Sequence, residues 1–234
     1  MFAYAGNNPI KYTDPDGNDI WIAFEKIFML GFDFRFSNRG KTQMAGIAHV
    51  TFINTTTNES FSAVYDIRCL DSVGINLNAG FSGGITGYTK YFDPGTKPEV
   101  VQKSYEGIFA TIFCPELTNP DILSIYGFSA SNSIVVGVDP EKGFFNTDDT
   151  PWVGINASIS FNAVDLLKDF ITGGVSISIP TCGIQYSVYK LHDRSWDDPE
   201  YEKYFLAARL FSNPLPLPEL QVITKEALKL LGSE

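Results

Sequence analysis

Two histidines, His49 and His192, are the only imidazoles in 234 residues, so acid–base chemistry near neutral pH has two places to stand. His192 lies in LHDRSWDDPEYE, with Asp193, Arg194, Asp197 and Asp198 close by in sequence. A histidine supported by a carboxylate can serve as a general base, and His192 with Asp193 is the chain's candidate catalytic pair. The same stretch also suits a strand-to-helix loop. His49, between Ala48 and Val50 in an alternating run, reads as structural. Asp14, Asp16 and Asp19 in DPDGND echo the start of a calcium loop, but Gly17 falls at the fourth position and no distal glutamate follows, so the spacing disfavours metal binding. The sequence holds no phosphate-cradling glycine loop, no Gly-x-Ser-x-Gly elbow and no His-Glu-x-x-His, and no cofactor or metal is expected. Cys69, Cys114 and Cys182 lie far apart without CxxC spacing. They read as buried thiols, with one bridge plus a free thiol as the alternative.

The elements that must position these residues are mostly strands. Period-two alternation runs through Gly74 to Ser82 and Gly154 to Asn162, the mark of strands with one face buried. In the first, Ile75, Leu77, Ala79 and Phe81 alternate with Asn76, Asn78, Gly80 and Ser82; in the second, Ile155, Ala157, Ile159 and Phe161 alternate with Asn156, Ser158, Ser160 and Asn162. The two look like copies, which raises an internal duplication. Further strands are expected at 27–36, 45–54, 60–69, 107–114, 123–129, 133–138, 175–179 and 184–190, separated by turn signals such as Asp93-Pro94-Gly95. Asn162 can cap a short helix over 163–171, and Asp198-Pro199 opens a second whose stripe of Tyr201, Tyr204, Phe205, Ala208 and Phe211 should pack on the sheet. The run NPLPLPE (213–219) is an extended linker ahead of an amphipathic segment at 222–231. Many strands with short polar connections predict a mainly β fold, an antiparallel sandwich or barrel with one short internal helix and C-terminal helices.

Charge narrows the partners. A net charge of −10 argues against nucleic-acid backbone binding. No stretch is apolar enough for a transmembrane helix, and no basic segment followed by an apolar run marks a secretion signal. The polar faces of the two alternating strands are also unusual, because they hold Asn, Ser and Gly and no charge. Either a second layer covers them, or they line a barrel or a surface that meets lipid or another chain.

The opening, FAYAGNNPIKYTDPDG, places Asn7-Asn8-Pro9, four further residues, then Asp14-Pro15-Asp16-Gly17, and reads as the end of a preceding unit. It resembles the terminal segment of the RHS repeat-associated core, the YD-repeat shell of bacterial polymorphic toxins. The likeness rests on Asn7, Asn8, Pro9, Asp14, Pro15 and Gly17 and covers about the first eighteen residues. In that family the motif closes a β-shell and is followed by a variable toxic cargo, and the shell commonly cuts itself just after the motif with a pair of aspartates. The resemblance implies that Asp14 is one of that pair, with its partner upstream of this chain. Where the family often has Leu after the glycine, this chain has Asn18.

On that resemblance, residues 1–18 end a shell segment, 19–192 form a β-rich tip, and 193–234 form a helical segment with a proline-rich linker packing on it. The implied function is the tip of an RHS-type polymorphic toxin of unknown target, envelope- or membrane-directed, secreted or surface-displayed through a carrier. Its partners would be the upstream shell and a cognate immunity protein. Two alternatives stand beside it: a non-toxic binding or adhesion module of a YD-repeat surface protein, and an enzymatic toxin using the His192 region.

Overall fold

A computed structural model describes residues 19–36, 39–73, 76–113, 127–140, 151–172 and 183–212. Eight strands carry the fold: β1 (Asp19–Phe36), β2 (Arg39–Asn54), β3 (Ser60–Val73), β4 (Asn76–Phe92), β5 (Gly107–Phe113), β6 (Phe128–Val138), β7 (Val153–Asn162) and β8 (Gly183–Leu191). Three helices accompany them among the described residues: α1 (Pro98–Ser104), α2 (Ala163–Thr172) and α3 (Pro199–Ser212). The sheet is a closed barrel in the order β1-β2-β3-β8-β5-β6-β7-β4, and every neighbouring pair is antiparallel. Two Greek keys make it up, because β4 lies beside β1 and β8 lies beside β5, each four-strand half reading 4-1-2-3. The barrel arm of the predicted fold class therefore holds, and closure gives each described strand a neighbour on both sides.

Several predicted strands are longer or merged. The run expected at 27–36 begins at Asp19, the one at 45–54 begins at Arg39, and Phe128 and Ser129, the end of the segment expected at 123–129, join the one at 133–138 in the single strand β6, continuous across Ala130 to Asn132, while 123–126 lie outside the described residues. The strand expected at 175–179, along with Cys114, Cys182 and the segment at 213–231, lies outside the described residues. Cys69 is buried, with its sulfur 3.2 Å from Ser187 Oγ. Both expected helices form. Asn162 Oδ1 accepts the backbone N–H of Val164 at 3.0 Å to cap α2, and Asp198 Oδ1 accepts that of Glu200 at 3.0 Å to cap α3. Helix α1 was not expected, since seven residues are too few to show a 3.6-residue period; Pro98 in its first turn marks its start.

The suspected duplication resolves differently. A repeat of the four-strand unit would align β4 with β8, yet the two look-alike stretches sit on β4 and β7. They are antiparallel neighbours, with Phe81 opposite Phe161 and Ser82 opposite Ser160. Their likeness follows from sharing one wall of the barrel with the same inside and outside.

Below its middle, the barrel is packed with aromatic rings. Trp21, Phe52, Tyr65, Tyr88, Phe109, Trp152 and Tyr189 point inward and are buried, and Tyr105 enters from the end of α1 to pack against Phe52, Tyr88, Phe109, Trp152 and Tyr189. Burial of each such side chain is worth about 1.5–3 kcal/mol. Polar tips are paired as the rings go in: Tyr65 Oη donates to the Gln102 carbonyl at 2.8 Å, and Trp152 Nε1 donates to Ser104 Oγ at 3.1 Å. Both bonds fix α1 across the lower end. Gly154 makes room for this packing, because a Cβ there would fall 2.5 Å from the Tyr88 ring.

Glu25 stands at the upper limit of the aromatic layer. It is 1 % exposed, and Tyr88 Oη donates to its Oε2 at 2.9 Å. Burial pushes its carboxyl above the ordinary range, opposed by the hydroxyls of Tyr189, Tyr88, Thr86 and Tyr105. Because the folded barrel holds this proton more tightly than the unfolded chain, the stability that protonated Glu25 confers is complete at acid pH and is lost as pH rises through its raised value. Glu25→Gln should therefore match the parent in urea unfolding at pH 4 and surpass it at pH 8. Equal loss of stability at both pH values would contradict this role for the proton.

Candidate functional site

Above Glu25 the interior changes character. Inward positions on β4, β7 and β6 become Ser82, Gly84 and Thr86; Asn156, Ser158 and Ser160; and Ser129, Ser131 and Ser133. Rungs of side-chain hydrogen bonds join them: Ser129 Oγ to Ser160 Oγ at 2.8 Å, Ser131 Oγ to Ser158 Oγ at 2.9 Å, and Asn156 Nδ2 to Ser133 Oγ at 3.3 Å, with Thr86 Oγ1 donating to Asn156 Oδ1 at 3.2 Å. Ser129 points inward yet is exposed. Here the uncharged Asn and Ser faces noted in the sequence line a barrel.

The consequence lies on the other side of the wall. Alternation sends the apolar residues of the same strands outward, and there they stay bare: Ile155 is 70 % exposed, and Ile85 and Ile159 are 59 % each. Phe24, Phe28 and Leu30 on β1, Phe81 on β4, and Phe128 and Ile134 on β6 extend the surface. This corrects the expectation that the apolar face of the 154–162 strand is the buried one. At this level an eight-stranded barrel is narrow, and the small polar side chains of β4, β6 and β7 share it with Ile27, Met29, Met44 and Ile67 of β1, β2 and β3, which leaves the bulky residues of β4, β6 and β7 outside. Lys26 is the one charged residue among the described outward positions of β1, β4, β6 and β7, whereas a water-facing sheet would intersperse Lys and Glu. At the same end, α2 leaves Leu167, Phe170 and Ile171 exposed.

Across the barrel the outer wall is apolar too, but covered. Ile108 and Ala110 of β5 and Tyr186 and Val188 of β8 are buried beneath Tyr204, Phe205, Ala207 and Ala208 of α3, as the helical stripe in the sequence led one to expect. The loop leading into α3 is locked by charge: Arg194 reaches Glu106 Oε2 and Glu200 Oε2, each at 3.0 Å, and also Asp198, while Tyr201 Oη donates to Glu106. The charged partners hold the guanidinium firmly protonated, Asp198 foremost.

His192 sits in this loop on the outer surface. Its Nδ1 lies 2.7 Å from Oδ1 of Asp66 on β3, so its carboxylate partner is Asp66 and not the adjacent, exposed Asp193. The other Asp66 oxygen takes Lys190 Nζ at 2.9 Å, and that ammonium, 1 % exposed, also donates to the carbonyls of Leu191 and Arg194. Partial burial pushes the Asp66 carboxyl up, but hydrogen bonds from His192 and Lys190 outweigh it and leave it below its ordinary range. Asp66 was not legible as a partner because it is 126 residues away in sequence. His49 points outward from β2 and is exposed. Asp19 accepts from Asn54 Nδ2 and from the Gly95 N–H, both at 3.2 Å, and pins the lower end of the barrel. Asn7, Asn8, Pro9, Asp14, Pro15 and Gly17 lie outside the described residues. Among the described residues no three His, Cys, Asp or Glu side chains gather as a metal set.

No family model, curated protein or solved structure matches the chain.

With its folded value lowered, Asp66 contributes stability above the ordinary carboxylate range, and this is lost as pH falls through the lowered value. Asp66→Asn leaves the buried Lys190 ammonium without its anion and should cost about 3 kcal/mol at pH 7. Urea midpoints should converge with those of the parent at strongly acid pH. A constant difference across that range would show that the charge on Asp66 is not what the fold uses.

Proposed function

We propose that this chain is the C-terminal part of an RHS-type polymorphic toxin and that its β-rich tip acts at a membrane surface. The observation that carries the membrane target is the wall polarity around β1, β4, β6 and β7, polar and hydroxyl-lined within, apolar and almost uncharged without. Strands that face lipid have this pattern. The reading is of a barrel that lies against or part-way into a bilayer, not one that spans it. The opposite side bears Asp66, Arg68 and the charged loop that anchors α3, and a spanning barrel needs an apolar band around its whole circumference. The toxin assignment draws on the resemblance of the opening segment to the RHS core, and an immunity protein would be its natural antagonist.

The full chain, mixed with vesicles of phosphatidylethanolamine and phosphatidylglycerol, should float with them in a density gradient. Ile155→Asp combined with Ile159→Asp should lower the floating fraction at least tenfold while leaving the urea midpoint in place, since both side chains already face out. Equal flotation of parent and double variant would remove the membrane target. Expression directed to the periplasm should arrest growth; full viability in both cytoplasm and periplasm would favour the adhesion module. The enzymatic alternative rests on the His192–Asp66 pair, and loss of toxicity in a folded His192→Ala variant would favour it.

A further inference from the structure

The barrel interior also holds a cluster of sulfur atoms. Met29 and Met44 are the chain's two methionines beyond Met1, and both point inward beside Cys69. Three adjacent strands supply them: Met29 from β1, Met44 from β2 and Cys69 from β3. The Cys69 thiol donates to Met29 Sδ at 3.5 Å, although β2 lies between their strands. Gly46 permits this reach. It is the register partner of Met29, and a Cβ there would fall 2.7 Å from Met29 Cγ and 2.1 Å from the Phe28 carbonyl oxygen. Met44 is the register partner of Cys69, which sets their Cβ atoms about 5 Å apart on one face. The Met44 sulfur lies 3.9 Å from Gln185 Nε2 on β8, so its side chain leans across β3, the strand that carries Cys69. Cys69 and Met44 are buried and Met29 is half-buried.

We propose that Met29, Met44 and Cys69 bind one Cu(I) ion inside the barrel. Donor type selects the metal. One thiolate with two thioethers is a soft set, which favours Cu(I) over the hard cations that prefer oxygen and over Zn(II), which takes thiolate, imidazole and carboxylate. Spacing agrees with donor type. With a metal–sulfur bond of about 2.3 Å, the zinc–thiolate length, two sulfurs 3.5 Å apart can share an ion between them. The three rotatable bonds of Met44 let its sulfur close the third side. On binding, the Cys69 S–H bond breaks, the proton leaves to water and an S–Cu bond forms, with copper remaining Cu(I). Ser187 Oγ, 3.2 Å from the Cys69 sulfur, then donates to the thiolate and holds it in place. No cysteine or histidine spacing in the sequence marks this set, because its donors come from three strands and two of them are methionines.

The full chain, reduced and kept under argon, should take one equivalent of Cu(I) from its bicinchoninate complex, and the copper X-ray absorption spectrum should show three sulfur neighbours. Cys69→Ser should abolish the uptake. Met29→Leu and Met44→Leu, which nearly conserve side-chain volume, should each weaken Cu(I) binding at least tenfold, and they serve if Cys69→Ser fails to fold. Cys114→Ser combined with Cys182→Ser should bind as the parent does, and a tenfold excess of Zn(II) should leave the copper in place. Absence of uptake by the parent would overturn the site. Parent-like affinity in both folded methionine variants, loss of uptake on replacing Cys114 and Cys182, or displacement by Zn(II) would overturn it too, since each would assign the copper to thiols alone.

Discussion

Closure of the sheet governs the rest of this molecule, because β4 bonds to both β1 and β7 and every described strand has a neighbour on both sides. Once the ring is closed, each residue of each strand must face either the interior or the outer wall, and the period of two leaves no third choice. A narrow eight-stranded interior cannot take a large side chain at every inward position. The lower half is filled by rings around Tyr105 and Trp152; in the upper half paired serines and asparagines of β4, β6 and β7 face Ile27, Met29, Met44 and Ile67 of the opposite wall. The outward residues of β4, β6 and β7 are apolar as the complement of that second choice.

The two halves have different energetics. Aromatic packing below is cohesive in water and gives the fold its stability. The hydroxyl rungs above exchange bonds to water for bonds to each other, a small net gain, while the isoleucines outside gain nothing until something apolar meets them. A sequence selected only for a soluble barrel would place those residues the other way round. Greek-key closure also explains how one side came to be covered and the other left open. Helix α3 follows β8 directly and lies over β5 and β8, whereas α2 follows β7 at the upper end and leaves the outer faces of β7 and β6 bare.

Much of the fold was legible in the sequence. Alternation located most of the strands, and the caps at Asn162 and Asp198 located both longer helices, since these signals are local. What the residues could not reveal is which face of an alternating strand turns inward. Ile155, Ile159 and Phe161 look like a core face until closure assigns the interior to Ser158 and Ser160. The hint was the absence of charge among the polar partners. The partner of His192 was hidden for a different reason: β3 and β8 meet only through the closed order of strands, so Asp66 and His192 come together from far apart in the chain, while Asp193, the neighbour in sequence, points to solvent. Look-alike segments on β4 and β7 suggested a repeat because neighbouring strands of one wall are shaped by the same two environments.

The central claim is that the wall is inverted and that its outer face meets hydrocarbon. Spin labels placed one at a time at Ile155→Cys, Ile159→Cys, Ser158→Cys and Ser160→Cys, read by collision with oxygen and with a water-soluble nickel chelate in the presence of vesicles, test both parts together. The account requires the two isoleucine sites to become oxygen-accessible and shielded from nickel on adding vesicles, with the two serine sites unchanged. Nickel accessibility at Ile155 and Ile159 that vesicles leave untouched, or lipid exposure appearing at the serine sites, would contradict it.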